Sequence, residues 1–256
     1  MSQHGEVSLR NQPNIVTRWQ HSVISIPSAV DDDDDDEDRE PSSHAPIYEH
    51  ACASFCRGRL SLLGTTSDAE AVAAGRAAGL RLHRFKRARV LPRVQRILST
   101  LRGLQPRSVL DVGTGRGVML WPLLEAFPHL PVTCIDARID RVDDLRSVGA
   151  GGIDSLHAEH SRIEDLKRSS QRYDVVIASE VLEHVVDARE AAAALLSVAE
   201  RFVIVTVPSQ PDDNPEHVRL FSVESLRQLW LEVGASKVAV DGIAGHWFAV
   251  ITVSST

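Results

Sequence analysis

Three ionisable side chains fall close together in the sequence SEVLEH. Glu180, Glu183 and His184 are spaced so that one helical turn would place them on one side. Two carboxylates and an imidazole can bind a divalent cation or supply a general base. A second imidazole, His217, follows in the proline-rich loop 208–221. We therefore expect Glu180, His184 and His217 to be catalytic, and all four side chains to be candidate metal ligands.

A second group of residues surrounds the glycine-rich sequence DVGTGRG. Gly113, Gly115 and Gly117 would let the backbone turn tightly and approach a ligand closely. Asp111 precedes these glycines, and Asp136 ends the next strand-like segment, where an acid can bind ribose hydroxyls. The glycine spacing differs from the G-x-G-x-x-G fingerprint of dinucleotide-binding proteins. The combination predicts a nucleoside-containing ligand that is not a nicotinamide dinucleotide.

Alternating strand-like and helix-like segments follow residue 106 and would position both groups. Such alternation predicts an α/β fold with a doubly wound, Rossmann-like, seven-stranded sheet, mainly parallel with a C-terminal antiparallel strand pair. Ligands of such sheets bind at the carboxyl ends of the strands. The expected strands are 108–111, 132–135, 155–157, 173–179, 201–207, 237–240 and 247–253, and the expected helices are 116–127, 138–148, 188–200 and 222–233.

The glycine motif, Asp136, the segment DVVIASEVLEHV and the terminal strand pair together resemble the class I S-adenosylmethionine-dependent methyltransferases over about residues 80–253. The resemblance implies that Asp111 holds the methionine end of the cofactor and that Asp136 holds its ribose. The adenine would lie beside Ala137 and near Glu159, with His160 and Ser161 equally close in sequence. The cofactor-binding residues expected in full are Asp111, Gly113, Gly115, Gly117, Asp136, Ala137, Glu159 and Ser179.

The EVLEH segment and the later histidine are similar to two subgroups of that family. One comprises the small-RNA 3′-terminal ribose 2′-O-methyltransferases, in which two Glu and two His hold a cation. The other comprises the quinone-biosynthesis O-methyltransferases. We expect S-adenosyl-L-methionine as cofactor, with a divalent cation as an open question, and a small-molecule hydroxyl as acceptor. RNA is the alternative acceptor, and a non-catalytic cofactor-binding scaffold or sensor is the alternative of another class.

Charge divides the chain into unequal parts. The protein has 256 residues and a formal net charge of -7, yet residues 1–50 alone hold eleven acids against three bases. The acidic run 31–38 repels itself and buries nothing, so we expect 1–48 to be a disordered acidic tail. We expect a helical extension over 49–79 and the methyltransferase-like domain over 80–256. The arginine-rich stretch 81–104 predicts a helix interrupted near its proline, with a basic face that is either solvated or bound to an anion.

Targeting and cysteine signals are sparse. The three cysteines, Cys52, Cys56 and Cys134, are too few for a disulfide framework and favour buried, inert thiols. The N-terminal residues lack the pattern of a signal peptide, and no apolar run is long enough for a membrane span. We therefore expect a cytoplasmic location without a membrane span, while the oligomeric state is left open.

Overall fold

The computed structural model describes residues 47–87 and 90–254. The expected acidic tail therefore lies outside the described residues, apart from its last two positions. Seven strands form one sheet in the order β3-β2-β1-β4-β5-β7-β6. The strands are β1 Val109–Val112, β2 Val132–Asp136, β3 Leu156–His160, β4 Tyr173–Ser179, β5 Ala199–Pro208, β6 Lys237–Ile243 and β7 His246–Thr252.

The sheet has the predicted topology. Strands β1 to β5 are parallel, whereas β7 is antiparallel to both β5 and β6. The strand order reverses between β1 and β4, which are neighbours, so ligands are expected at their carboxyl ends. Because β7 runs the opposite way, its first residue His246 pairs with Pro208 at that same edge.

Helices cover both faces of the sheet, and each face has its own apolar core. The buried cluster on one face includes side chains of α1 to α5, and that on the other includes side chains of α6 and α7. The helices are α1 Glu49–Leu60, α2 Asp68–Ala77, α3 Pro92–Leu104, α4 Leu120–Ala126, α5 Ile139–Ala150, α6 Ala188–Val198 and α7 Val223–Glu232. Strands β1, β2 and β4 are buried along almost their whole lengths, which explains their apolar composition, whereas the edge strand β3 is partly exposed.

Two helix starts differ from the predictions. α4 begins at Leu120 rather than at 116, because Gly115 and Gly117 adopt positive φ and continue the loop. The expected helix before Pro92 is also wrong: only a short 3-10 turn, His83–Phe85, forms there. Pro92 is instead the first residue of α3, where its missing N–H costs no hydrogen bond. The predicted N-cap of α7, Ser222, accepts a hydrogen bond from the Ser225 backbone as expected.

The arginine-rich stretch is largely paired with carboxylates. Arg84 contacts Asp144, Arg87 contacts Glu125, and Arg96 contacts Asp241. The basic face is therefore partly neutralised by the protein itself. All three cysteines are buried and unoxidised, as predicted. No helix among the described residues is long and apolar enough to cross a membrane.

Candidate functional site

The glycine turn lies between the end of β1 and the start of α4. Its three glycines have φ values of 69°, 58° and 88°. Gly113 hydrogen-bonds through its N–H to the Ile135 carbonyl, which fixes the turn against β2. A Cβ on Gly113 would lie 2.8 Å from Val181, in the segment that follows β4. A Cβ on Gly117 would enter the indole ring of Trp121. The turn thus has room for glycine alone at these two positions.

Asp111 is a buried carboxyl group without a full set of partners. Its side chain is 2% exposed, and its Oδ2 has no hydrogen-bond partner among the described residues. Burial is the main cause that raises the pKa of Asp111 to about 7; Thr114 opposes this rise, and the nearby charge of Asp136 contributes to it. An unpaired buried acid is costly, so this atom requires a hydrogen-bond donor or cation from a ligand.

Asp136 ends β2 beside the glycine turn. Its Oδ2 accepts a hydrogen bond from the Gly115 N–H at 2.9 Å, and its Oδ1 accepts one from the Arg138 N–H at 2.9 Å. The guanidinium of Arg141 lies 3.9 Å from the same carboxylate. These contacts orient the acid toward the edge at which we expect the ribose.

Of the residues expected near the adenine, Glu159 contacts a neighbour on its own strand. Its Oε1 lies 3.1 Å from Nε2 of His157, on the same face of β3. His160 instead reaches across to Ala137, with its Nε2 3.0 Å from the Ala137 carbonyl oxygen. Of the three neighbouring candidates, His160 is therefore the side chain that contacts the residue expected beside the adenine.

The acceptor segment does not form one helical turn from Glu180. Glu180 has a φ of 57°, in the left-handed region that favours glycine, and the short 3-10 turn begins only at Leu182. The expectation that Glu180, Glu183 and His184 share one side of a helical turn is therefore wrong. Such strain in a non-glycine residue is typical of functional sites.

Glu180 is held in a hydrogen-bonded network. Its Oε1 accepts from the Thr206 hydroxyl at 2.8 Å, and its Oε2 lies 2.9 Å from Nε2 of His246. The Thr206 hydroxyl also lies 2.8 Å from that of Ser179. Burial opposes ionisation of Glu180, but the His246 hydrogen bond and the charge of Arg93 hold its pKa below the usual value.

Glu183 is the second unsatisfied acid of the site. It is fully buried, and neither carboxylate oxygen has a partner among the described residues. Burial and the charge of Glu180 raise its pKa to about 9. Glu183, His184 and His217 each offer one ligand atom, and these atoms lie within 4.8 Å of one another. We call these three residues the acid–histidine group; Glu180 lies outside it.

Sequence reasoning missed three members of this site. Thr206 and His246 hold Glu180, and Arg93, near the start of α3, places its Nε 4.0 Å from Oε1 of Glu180. Only 11% of the Arg93 side chain is exposed, and it has no hydrogen-bond partner among the described residues. His246 could have been found, because an antiparallel last strand must begin at the ligand edge. Arg93 had no comparable signal within a stretch of many arginines.

A cavity of about 800 Å³ lies elsewhere, at the amino ends of β2 and β3, between the start of α1 and the end of α4. Its lining includes none of the predicted cofactor or acceptor residues. The unsatisfied acids Asp111 and Glu183 lie instead near the carboxyl ends of β1 and β4.

Known proteins share this architecture. An O-methyltransferase family protein from Burkholderia thailandensis has 20% identity and a TM-score of 0.54, with 73% of this chain and 61% of that chain covered. The magnesium protoporphyrin IX methyltransferase of Synechocystis, solved with bound SAH, has 17% identity and a TM-score of 0.50, with 63% and 82% covered. At these identities the likeness shows the fold alone.

Curated relatives match shorter segments. The ribosomal RNA small subunit methyltransferase G of Geobacillus thermodenitrificans is 32% identical over 123 residues, which are 46% of this chain and 51% of the relative. The ubiquinone biosynthesis O-methyltransferase of Rickettsia felis is 34% identical over 104 residues, 41% of each chain. The matches thus span about half or less of these relatives.

The family comparison covers more of the chain. Residues 81–240 match the methyltransferase domain family, well over half of the sequence. The matched range includes the glycine turn, Asp136 and the acid–histidine group. The chain belongs to the class I S-adenosylmethionine-dependent methyltransferases.

Proposed function

We propose that the protein transfers the methyl group of S-adenosylmethionine to a hydroxyl group of a small molecule. The observation that carries this proposal is the acid–histidine group: Glu183 and His184 follow β4 shortly after Val181, which contacts the glycine turn, and His217 joins them from the loop after β5. A hydroxyl must lose its proton when it is methylated, and a neutral imidazole in reach of that proton can accept it. His184 and His217 are the candidate bases, and Glu180 with its partners would orient the acceptor.

The cofactor residues fit the proposed ligand. When bound, S-adenosylmethionine supplies an electrophilic methyl group on a sulfonium. Its methionine end carries an ammonium and a carboxylate, and the site offers a buried acid without a partner on one oxygen, Asp111, and a largely buried guanidinium, Arg93, whose nearest carboxylate, Glu180, is 4.0 Å away. We assign Asp111 to the ammonium, because this pairing satisfies a buried group, and Arg93 to the carboxylate, because a guanidinium can bind a carboxylate through two hydrogen bonds. Gly113, Gly115 and Gly117 would line the cofactor, Asp136 would hold its ribose, and Ser179 would lie at the strand end beside it.

A divalent cation bound by the same side chains is the alternative to general-base catalysis, because a histidine nitrogen that binds a cation cannot also accept a proton. Glu183, His184 and His217 provide oxygen and nitrogen ligands of the kind that hold such ions, and the unpartnered Glu183 carboxylate would gain a counter-charge. A bound cation would lower the pKa of an acceptor hydroxyl. Glu180 would not bind the cation; its carboxylate, held by Thr206 and His246, would orient the acceptor.

RNA is the second candidate acceptor, because one relative is named a ribosomal RNA methyltransferase. RNA binding relies on unpaired cations that contact phosphates. In the described part of the arginine-rich stretch, Arg84, Arg87 and Arg96 are instead paired with carboxylates. This pairing favours the small-molecule acceptor.

The decisive experiment measures transfer of a radiolabelled methyl group to catechol, to other hydroxylated small molecules and to total RNA, with and without a chelator. We expect His217→Gln and His184→Gln to lower the rate about 10²-fold or more, as for other general bases. The matched control is His129→Gln, an exposed histidine at the far edge of the sheet. Transfer to RNA alone would replace the acceptor class, and chelator-insensitive transfer would remove the cation. Cofactor binding without any transfer would favour a non-catalytic scaffold.

A further inference from the structure

The loop between β5 and α7 lies against the acid–histidine group and contacts both histidines. The Val218 N–H donates to the Glu183 carbonyl at 2.9 Å, which fixes the loop on the acceptor segment. Nδ1 of His184 lies 3.2 Å from the Glu216 carbonyl oxygen. Nδ1 of His217 lies 2.7 Å from Oδ2 of Asp212. One loop therefore supplies an oxygen to Nδ1 of each imidazole.

The proton positions on His217 follow from its neighbours. The Glu216 N–H donates to Oδ1 of Asn214 at 2.9 Å, so this contact determines which amide atom of Asn214 is oxygen. The other amide atom, Nδ2, then faces Nε2 of His217 at 3.2 Å. An amide nitrogen can only donate, so Nε2 must accept through its lone pair. The single ring proton of neutral His217 is therefore on Nδ1, where it donates to Asp212.

The same argument applies to His184. A carbonyl oxygen can only accept, so Nδ1 of His184 is the protonated nitrogen. Both neutral imidazoles thus have their lone pair on Nε2, that of His217 accepts from the Asn214 amide, and the two ring centroids are 4.7 Å apart. A lone pair at Nε2 is what a general base or a metal ligand requires.

We propose that Asp212 and Asn214 are positioning residues, which hold His217 in the Nδ1-protonated tautomer and place its lone pair on Nε2, where the Asn214 amide donates to it until an acceptor proton replaces that contact. The Asn214 N–H also donates to Oδ1 of Asp212 at 3.2 Å, so the two residues support each other. The catalytic use of the lone pair rests on the proposed function. The tautomer itself does not, because the contacts within the loop determine it.

The test observes the two ring nitrogens of His217 by ¹⁵N nuclear magnetic resonance of the full chain at about pH 8, where an ordinary histidine is neutral. The His217→Gln spectrum identifies the signals. We expect the wild-type protein to show protonated Nδ1 and unprotonated Nε2. Asp212→Ala should move the proton to Nε2 or produce exchange between the two forms. The matched control is Asp213→Ala, which removes the neighbouring exposed carboxylate and should leave the tautomer unchanged.

Asp212→Glu serves as a second variant, because it keeps a carboxylate acceptor and should retain protonated Nδ1. The amide spectrum of each variant shows that the fold is kept. A wild-type His217 protonated at Nε2, or an unchanged tautomer in Asp212→Ala, would overturn the proposal. Neither measurement involves cofactor or acceptor, so failure of the proposed methyl transfer would be recognised separately.

Discussion

At the scale of one residue, Asp111 is a buried acid that lacks a partner, whereas buried polar groups in a stable core are hydrogen-bonded. Its pKa of about 7 reflects burial without a partner. An acid whose pKa is raised in the folded state destabilises the protein once it ionises, because the unfolded chain ionises it at lower pH. Ionisation is nevertheless the form that a cofactor ammonium requires.

We predict opposite effects of Asp111→Asn on binding and stability. In the wild-type protein, cofactor affinity should fall by up to about tenfold per pH unit below pH 7, as Asp111 becomes protonated, and level off above it. The variant should bind weakly without this pH dependence, and above pH 7 it should unfold at higher temperature than the wild type. Calorimetric titration and thermal unfolding between pH 5 and 8.5 would measure both. A wild-type affinity that is flat across this range would contradict the assigned role.

Substitution of Gly113 tests how much a close contact with Val181 costs in addition to backbone strain. Gly113→Ala should lose stability through its positive φ, by about 1–2 kcal/mol, and additionally through the side chain of Val181. Gly79→Ala is the matched control, because Gly79 has nearly the same φ, 71°, with open space around it. We expect Gly113→Ala alone to weaken cofactor binding, and Val181→Ala in the same chain to restore part of it. Urea unfolding and calorimetry are the measurements, and equal losses in the two alanine variants would show that the Val181 contact is unimportant.

At the scale of elements, helices α1 and α5 are joined by close backbone contact. A Cβ on Gly58 would meet the Ser147 carbonyl, and a Cβ on Gly151 would meet the Ser54 carbonyl. Neither partner is a flexible side-chain end, so the helices would have to separate. This packing joins the predicted helical extension to the apolar cluster on one face of the sheet, in which Cys52 and Phe55 of α1 also lie.

Replacement of glycine by alanine should therefore change the free energy of unfolding in opposite directions in two helices. Gly58→Ala should destabilise the protein by about 1–3 kcal/mol through the contact with α5. Gly103→Ala in α3, with open space around it, should stabilise the protein by about 0.5–1 kcal/mol, because glycine costs helix entropy. The free energies of unfolding in urea compare the two. A stabilised Gly58→Ala variant would mean that α1 and α5 are not in close contact.

Element boundaries also show where sequence patterns stop being informative. The central strands are recognisable because they are short apolar runs that are buried on both faces, as in Tyr173–Ser179. Hydrophobic periodicity cannot place the start of α4, because a glycine turn and a helix N-terminus do not differ in it. Nor does it distinguish an interruption at Pro92 from a helix that begins there, because proline is equally suited to the first turn of a helix.

For the whole molecule, the sheet topology and the grouping of Asp111, the glycine turn and Asp136 could be predicted, whereas the network around Glu180 could not. Asp111, the glycines and Asp136 lie on successive elements, so local spacing was sufficient to place them together. Glu180 meets Arg93 from α3 and His246 from β7. These partners are far apart in the chain, and only the completed fold brings them to one carboxylate. Long-range pairings of this kind leave no spacing pattern in a single sequence.

Val181 contacts the glycine turn at Gly113, so it joins the segment proposed to bind the acceptor to the turn proposed to bind the cofactor. Two ligands that each bias the position of one shared contact must change each other's affinity by the same factor. Shortening Val181 should therefore bring this factor closer to one for both ligands together.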